Sequence, residues 1–443
     1  MSLIKSAVGR RAVALLGVAS AMGLALGGCT STPPQGGDTG GQTTITLWHF
    51  FEDREADVLQ ASIDAFEASH PDIKVDVMSG QDDDKMRTAI AAGQPIDVGI
   101  SYSSDQIGPL CSTGAFKDLA PYLAKDNVDL SQIPPVVQSY TQYEGTRCAL
   151  PMLADVVGLY YNKQMLSDAG ITSAPKSLDE LAADAIKLTT HNADGSIDVL
   201  GFMPFMEYYE TNSTNMAAMA GAKWLSADAT TSVIGSDPNW TALLNWQKKL
   251  INDLGGYQAL SDWMASLGDE FSEENDFQTG RVAMQIDGEW RAAFIADQAP
   301  DLDYGTAPLP TLTPALYGTT EIDGNLIGIP KGSTHPDQAW ELVKYLALDT
   351  DAQVAMGNGL KNIPTIDSAV TSPNLETDAN FQVFLDAFVN PLATTSPRTA
   401  IGTEYGDIMN TFIQGWESGD ETDLASGLAN VDKQINDAIA LGG

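Results

Sequence analysis

Positive charge is scarce in this sequence. The 443 residues include 23 lysines and arginines against 59 aspartates and glutamates, which gives a formal net charge of −36. Residues 1–28 hold three cations and no acid, so the rest of the chain carries −39. So acidic a chain is unsuited to neutralising a run of phosphates, which argues against a nucleic-acid partner. It also argues against a protein that lies flat on an anionic membrane.

Long apolar runs are missing as well. The run over 12–26 follows three cations, but it is too short and too rich in glycine and alanine for a membrane span. It leads through Gly27 and Gly28 to Cys29. A positive segment, a short apolar segment and small residues before a cysteine resemble a bacterial lipoprotein signal.

This resemblance implies that residues 1–28 are a signal peptide and that Cys29 carries the lipid on its thiol and new amino group. Residues 29–43 have almost no apolar content and are expected to be a flexible tether. The body would lie on the outer face of the bacterial cell membrane, anchored by its N-terminal lipid only. The alternative is an ordinary secretory signal in which Cys29 is incidental. Arg10-Arg11 also allow a twin-arginine route, although the next residues match that signal poorly.

Cysteine is scarce, with three in the whole chain. If Cys29 is lipidated, Cys111 and Cys148 remain as an even pair in an oxidising compartment, which predicts a disulfide between them. Two buried free thiols are the alternative. No second Cys/His pair lies nearby at ligand spacing, so neither a metal nor another cofactor is expected.

From Thr44 onward the sequence predicts an order of strands and helices. Alternating apolar residues predict strands over 45–48, 73–77 and 96–100, and helical spacing predicts helices over 52–69 and 85–92. A βαβαβ opening implies a parallel α/β sheet with right-handed crossovers. Further strands are predicted over 158–161, 282–286 and 326–330, and helices from Ser177, over 240–266 and over 336–348. The C-terminal third is predicted to be mostly helical.

Several short segments follow one another in a recognisable order. They are ITLWHF at 45–50, FEASHPDIKV at 66–75, GLYYNK at 158–163, APKSLDEL at 174–181, FQTGRVAM at 277–284 with Gly288-Glu289-Trp290, APLP at 307–310, GIPK at 328–331 and AWELVKYL at 339–346. Together they resemble the extracellular solute-binding proteins of ABC importers, in the carbohydrate-binding family. The segments span the whole body of the chain. The Cys111/Cys148 pair is a departure, since many relatives lack it.

The resemblance implies an α/β, two-lobed periplasmic-binding-protein-like fold of type II, with the ligand cleft between lobes that several crossing segments join. The expected first lobe comprises 44–152 and 305–350, and the second comprises 153–304 and 351–443. The lobes would close on the ligand by a hinge motion. The implied partners are an oligosaccharide and the transmembrane permease subunits, and the implied state is a monomer.

A sugar offers an apolar C–H face, which stacks on aromatic rings, and a rim of hydroxyls, which need donors and acceptors. Aromatic and acidic residues after strand ends are therefore the candidates. In the first lobe they are Trp48, His49 and Phe50 after the first strand, and Tyr102 and Asp105 after the third. Trp48 could equally be a core residue, and Asp105 a helix cap.

The other candidates lie at the lobe crossing and in the second lobe. Asp155 sits where the chain is expected to cross between lobes, and Asn325 precedes the returning strand. The remaining second-lobe candidates are Tyr209, Glu210, Trp263, Asp287 and Trp290. The resemblance implies a stacking aromatic at Trp290, whereas Trp263 could as easily belong to a helix core.

Motifs of catalysis are missing too. The chain has no G-x-S-x-G, H-E-x-x-H or P-loop pattern, so an extracellular enzyme is disfavoured. A glycosidase would need only a pair of carboxylates, and a sequence this rich in Asp and Glu neither shows nor excludes such a pair. A receptor for another solute, such as a polyamine or a peptide, stays open. The discriminating feature is whether the cleft holds more carboxylates than a neutral ligand can satisfy.

Overall fold

The computed structural model describes residues 41–442. The signal peptide predicted over 1–28, the lipidated Cys29 and almost all of the predicted tether lie outside the described residues. Among residues 41–442, no helix is long and apolar enough to cross a membrane.

The strands of the described part carry most of the architecture. They are β1 (Thr43–Trp48), β2 (Ile73–Met78), β3 (Val98–Ser101), β4 (Ala149–Asn162), β5 (Glu207–Tyr208), β6 (Thr211–Asn212), β7 (Met284–Gly288), β8 (Tyr304–Ala307), β9 (Ile322–Gly328) and β10 (Ile363–Pro364).

Helices cover these strands and form most of the C-terminal third. They are α1 (Asp53–Ser69), α2 (Asp83–Ala91), α3 (Ile107–Ser112), α4 (Ala120–Asp126), α5 (Pro135–Ser139), α6 (Lys163–Asp168), α7 (Leu178–Leu188), α8 (Ser213–Ala220), α9 (Pro238–Asp253), α10 (Tyr257–Met264), α11 (Arg291–Gln298), α12 (Pro336–Leu348), α13 (Thr350–Leu360), α14 (Asp367–Val370), α15 (Ala379–Phe388), α16 (Glu404–Ser418) and α17 (Leu424–Gly442).

The opening of the chain forms the predicted parallel sheet. Strand β1 pairs in parallel with β2 on one side and with β3 on the other. The sheet continues antiparallel through β9 to β4, and β10 forms its far edge. Because β1 and β3 run the same way, their C-terminal ends meet at one edge of the sheet, where the loops that follow them can build a common site.

Strand β4 is the longest strand of the described residues and belongs to both halves of the molecule. Its first part pairs with β9 up to Val156, and its second part, from Val157 to Asn162, pairs with β7 and β8. All of its residues except Asp155 and Tyr161 are buried. The run of Leu, Val, Ala and Met in this segment is therefore typical of a strand that is covered on both faces.

Two apolar clusters form the core. One lies on one face of the first sheet, where Leu47 of β1 and Ile327 of β9 pack with Trp340 of α12. The other begins on the opposite face, with residues such as Leu110, and continues through the second half to residues such as Trp240. We call the part built on β1, β2, β3 and β9 the first lobe, and the part built on β7 and β8 the second lobe.

The hydrogen bonds also locate the crossings between the lobes. Strand β8 pairs with the second part of β4, and Leu312 N donates to Met219 O, so the chain is still in the second lobe at residue 312 and returns with β9. Helix α13 lies against the first lobe, since Met356 and Leu360 belong to the core around Trp340. These crossings fall later in the chain than the boundaries at 305 and 351 that the resemblance implied.

One predicted helix is interrupted. The stretch over 240–266 forms α9 and α10, and between them Gly255 and Gly256 have φ angles of +112° and +90°. Glycine adopts such angles without steric cost, so the pair ends the first helix and sets a new direction for the second.

The predicted disulfide is present. Cys111 in α3 is bonded to Cys148, the residue before β4, with 5.5 Å between their Cα atoms. The bridge joins a helix of the first lobe to the strand that crosses to the second.

Candidate functional site

A cavity of about 390 Å³ lies where residues of both lobes and of the crossing segments meet. Two kinds of side chain dominate its wall. The aromatic ones are Phe50, Phe51, Tyr102, Phe271 and Trp290. The acidic ones are Glu55, Asp105, Asp155, Glu210, Glu321 and Asp323.

The first lobe supplies the loops after its parallel strands. Phe50 follows β1 and Tyr102 follows β3, and their rings lie edge to face with 6.0 Å between centroids. Their position follows from the strand order, because parallel strands bring their C-terminal ends to the same edge.

Asp323 of β9 is held by the turn after β3. Its carboxylate accepts hydrogen bonds from the backbone N–H of Ser104 at 2.7 Å, from that of Gly324 at 2.8 Å and from the Ser103 hydroxyl at 3.1 Å. Burial raises the pKa of Asp323, and these hydrogen bonds oppose that rise. The turn thus holds the Asp323 carboxyl group in a fixed position in the cavity wall.

Asp105 lies beside this group. The Tyr405 hydroxyl donates to its Oδ1 at 3.2 Å. Burial, together with the charge of Asp323, raises the pKa of Asp105 to about 7. Two carboxylates that disfavour each other's ionisation therefore share this part of the wall.

Asp155 is the acidic residue of the crossing strand β4. Asn362 Nδ2 donates to its Oδ1 at 2.6 Å. Glu289, just behind, accepts from Val156 N–H at 2.8 Å. Burial raises the pKa of Asp155 well above its ordinary value, and Asp323 adds to the rise.

The second lobe contributes Glu210, which follows the short strand β5. Its Oε2 accepts from the side-chain amides of Asn212 at 3.2 Å and Asn215 at 3.3 Å. Burial raises the pKa of Glu210 to about 8, with further contributions from Asp287 and Asp155. Glu321, at the other side of the cavity, accepts from the Ser396 hydroxyl.

Trp290 occupies a special backbone position. Its ring packs over Gly288, where even one added carbon atom would collide with it. The ring is half-buried, lines the cavity, and its Nε1 has no hydrogen-bond partner among the described residues. A flat apolar face with an unused donor at its edge is suited to a ligand that has both an apolar face and polar groups.

Residues 52–353 match the model of the family described as bacterial extracellular solute-binding proteins. This chain belongs to that family. The match covers more than half of the chain and includes the segments that form both lobes.

Relatives of this solute-binding protein include the maltotriose-binding protein of Pyrococcus abyssi, 23% identical over 408 residues, which are 89% of this chain and 82% of the relative. A maltooligosaccharide ABC transporter solute-binding lipoprotein of Streptococcus pneumoniae is 22% identical over 97% of this chain and 96% of its own. In both cases the likeness extends over nearly the whole body.

Solved structures give the same result for the fold. The structure of CpMnBP1 with mannotriose bound superposes with a TM-score of 0.80 at 24% identity, covering 89% of this chain and 100% of that one. The sugar-binding protein MalE of Xanthomonas citri gives 0.72 at 21% identity, covering 90% and 98%. The predicted α/β, two-lobed type II fold is therefore confirmed.

Seven of the residues singled out from the sequence lie together in the cavity wall of the solute-binding protein. They are Phe50, Tyr102, Asp105, Asp155, Glu210, Trp290 and Asn325. Their part in binding stays a prediction, while their convergence is a property of the fold.

Five others lie outside the cavity lining. Trp48 packs against the core. His49 is buried, and burial lowers its pKa to about 4. The Tyr209 hydroxyl donates to Asp276 at 2.9 Å, the ring of Trp263 lies under the Arg281 guanidinium at 4.7 Å, and Asp287 is paired with Arg291 at 2.6 Å. Tyr209, Trp263 and Asp287 therefore contact partners within the second lobe.

Sequence reasoning missed several lining residues. Glu55 lies in α1, Glu321 just before β9, and Asn362 just before β10, so none directly follows a parallel strand. Phe271 had a usable signal in the sequence, because it is an aromatic residue among the acidic residues of 269–274.

Proposed function

We propose that this protein is the lipid-anchored receptor of an ABC importer, and that it captures a carbohydrate, an oligosaccharide, and delivers it to the permease. The single observation that carries the proposal is the cavity wall, which combines aromatic rings with carboxylates and amides. Aromatic rings stack on the C–H faces of sugars, and carboxylates accept strong hydrogen bonds from hydroxyls. The ligands for which similar proteins are named, maltotriose, maltooligosaccharide and mannotriose, support the same class.

In this proposal the protein performs no chemistry. The two lobes close about the crossing segments, the ligand replaces water in the cavity, and the closed form is what the permease subunits recognise. Cys29 carries the lipid, so that a monomer stays near the membrane while residues 29–43 let the body move.

A second candidate is a receptor for another solute, such as a polyamine or a peptide. Six carboxylates in one cavity wall favour it, because a polyamine would pair with several acids at once. The two candidates share the transport role and differ in the ligand.

The test is a thermal-shift screen of the chain from residue 29 with Cys29→Ser, so that no lipid is attached. The panel contains malto-, manno- and gluco-oligosaccharides, with spermidine and short peptides alongside. A ligand that binds only the folded state raises Tm once its concentration far exceeds Kd. A shift with an oligosaccharide series is expected. A shift with spermidine or peptides alone would overturn the carbohydrate assignment, and hydrolysis products in the same wells would overturn the absence of catalysis.

A further inference from the structure

The wall of the cavity is unbalanced in charge. It contains the six carboxylates of Glu55, Asp105, Asp155, Glu210, Glu321 and Asp323. Of the residues that the structure describes, no lysine, arginine or histidine lines the same cavity. Water that fills the open cleft can solvate these charges, but closure on a ligand removes much of that water.

The protein itself supplies these carboxylates with neutral donors. Asp155 receives an amide N–H, Asp105 a phenol hydroxyl and Asp323 backbone N–H groups. Such donors satisfy lone pairs but supply no positive charge.

Each of the two arginines near the cavity donates to a partner outside the cavity wall, although Arg54 Nη2 and Arg291 Nη2 have no hydrogen-bond partner among the described residues. Arg291 is buried and its Nε donates to Asp287 Oδ2 at 2.6 Å. Arg54 Nη1 donates to the carbonyl oxygen of Gly359 at 2.7 Å, and its Nη2 lies 3.8 Å from Glu55. Glu55 is therefore the one lining carboxylate within ion-pair distance of a cation among the described residues.

A second, independent feature is an unused acceptor. Asn325 of β9 lines the cavity and is only 3% exposed, and its Oδ1 has no hydrogen-bond partner among the described residues. Its Nδ2 is within 3.5 Å of the Tyr102 carbonyl oxygen, so the amide presents its oxygen as the free atom. A buried acceptor without a donor is costly, and a ligand N–H or O–H would remove that cost.

We propose, on the basis of the proposed function, that the ligand is a carbohydrate that carries a protonated amine, and that its ammonium group lies between Asp155, Asp323 and Asn325. An ammonium offers three donors and a positive charge, whereas a hydroxyl offers one donor and no charge. The aromatic wall suits such a ligand as well, since ring faces stack on the sugar and attract a cation.

The test compares matched ligands by calorimetry with the chain from residue 29 carrying Cys29→Ser. One pair is the β-1,4-linked glucosamine trisaccharide and its N-acetylated form. The other is 6-amino-6-deoxymaltotriose and maltotriose. In at least one pair the amine is expected to bind at least tenfold more tightly, and 0.5 M salt should reduce that preference because it screens the charge.

Variants test whether the preference depends on the acidic groups of the wall. Glu210→Gln and Glu55→Gln each remove one ionisable carboxyl group at nearly constant volume, and in each the preference for the amine should fall at least threefold. Asp386→Asn on the exposed side of α15 is the matched control and should leave the preference unchanged. Two variants are tested because either of them could fail to fold, and the other then still gives a result.

The remaining outcomes separate the two proposals. Equal or tighter binding of the neutral member in every pair that binds would overturn the ammonium site and leave a neutral oligosaccharide receptor. Binding of spermidine with no carbohydrate of either kind would overturn the carbohydrate assignment and, with it, this inference. No binding by any probe would overturn both.

Discussion

Asn362 Nδ2 lies 2.6 Å from Asp155 Oδ1, and this contact ties two of the segments that cross between the lobes. Asp155 belongs to β4, and Asn362 directly precedes β10, which pairs with the same strand. The same amide also reaches Glu289 Oε1 at 3.4 Å. One neutral side chain therefore separates the half-buried Asp155 from the buried Glu289 at the junction of the lobes.

The substitution Asn362→Ala is expected to lower the free energy of unfolding by about 1 kcal/mol, since it removes the amide donor of the half-buried Asp155 carboxyl group. Urea denaturation of the ligand-free protein measures the change. The control is Asn245→Ala, because the Asn245 amide donates to Thr241 O on the exposed side of α9. Equal stability of the two variants would show that the contact between Asn362 and Asp155 contributes nothing.

Trp290→Ala should weaken ligand binding by about 1–3 kcal/mol, the scale of one aromatic contact with its buried area. Gly288→Ala should weaken binding as well, because a methyl group at residue 288 displaces the ring. In the double variant the two losses should not add, since the added methyl group then has no ring to displace. Calorimetry on the four proteins gives the result, and additive losses would show that Gly288 acts independently of the ring.

Stability should rise as the pH is lowered from 8 to 6.5. Burial raises the pKa of Glu210 to about 8 and that of Asp105 to about 7, so the folded state binds protons more tightly than the unfolded one. The protonated carboxyl groups contribute to the stability of the folded state. This contribution is fully present below the pKa that the groups have in the unfolded state, and it is lost as the pH rises through their pKa in the folded state. Burial lowers the pKa of His49 from 6.5 to about 4, which opposes this trend below about pH 6.5.

Tm of the ligand-free protein between pH 6.5 and 8 checks this dependence. Glu210→Gln removes one titrating group and should flatten the slope, whereas Asp386→Asn, an exposed residue of α15, should leave it unchanged. A Tm that rises with pH over this window would contradict the direction of these pKa shifts.

Removal of the disulfide, with Ser at both Cys111 and Cys148, should destabilise the protein by about 4 kcal/mol on the chain-entropy model. The two cysteines are 37 residues apart in sequence, which sets the size of the loop that the bond closes. Neither cysteine lines the cavity, so ligand affinity below the melting range should stay the same. Denaturation and calorimetry on one preparation separate the two effects, and a large loss of affinity would place the bridge in the binding mechanism.

Local sequence signals predicted the elements well. The alternation in β1, β2 and β3 and the helical spacing of α1 and α12 depend on near neighbours, so they are visible along the chain. The helix boundary at Ser177 is of the same kind, since its hydroxyl accepts from the Glu180 N–H at 3.2 Å. The fold class followed from the order of these elements and from the ordered family segments.

The contacts that individual side chains make with one another were harder to predict. Asp287 was a candidate acceptor for the ligand, but the structure pairs it with Arg291, which is four residues later and begins helix α11. Trp263 lies under Arg281, and the Tyr209 hydroxyl donates to Asp276. The side chains are of the right types for a binding site, and only their surroundings show that they are used inside the second lobe.

By itself the sequence predicted the compartment signal, the order of most strands and helices, and the cysteine pair that the structure joins, because each depends on composition or on neighbours along the chain. The tertiary structure decided which acids face the cavity. Glu55, Glu210 and Asp323 are separated by more than a hundred residues each, and they meet only because β4 spans both lobes and β9 returns beside it. The register of strand pairing between distant segments brings these three side chains together, and no local sequence pattern predicts that register.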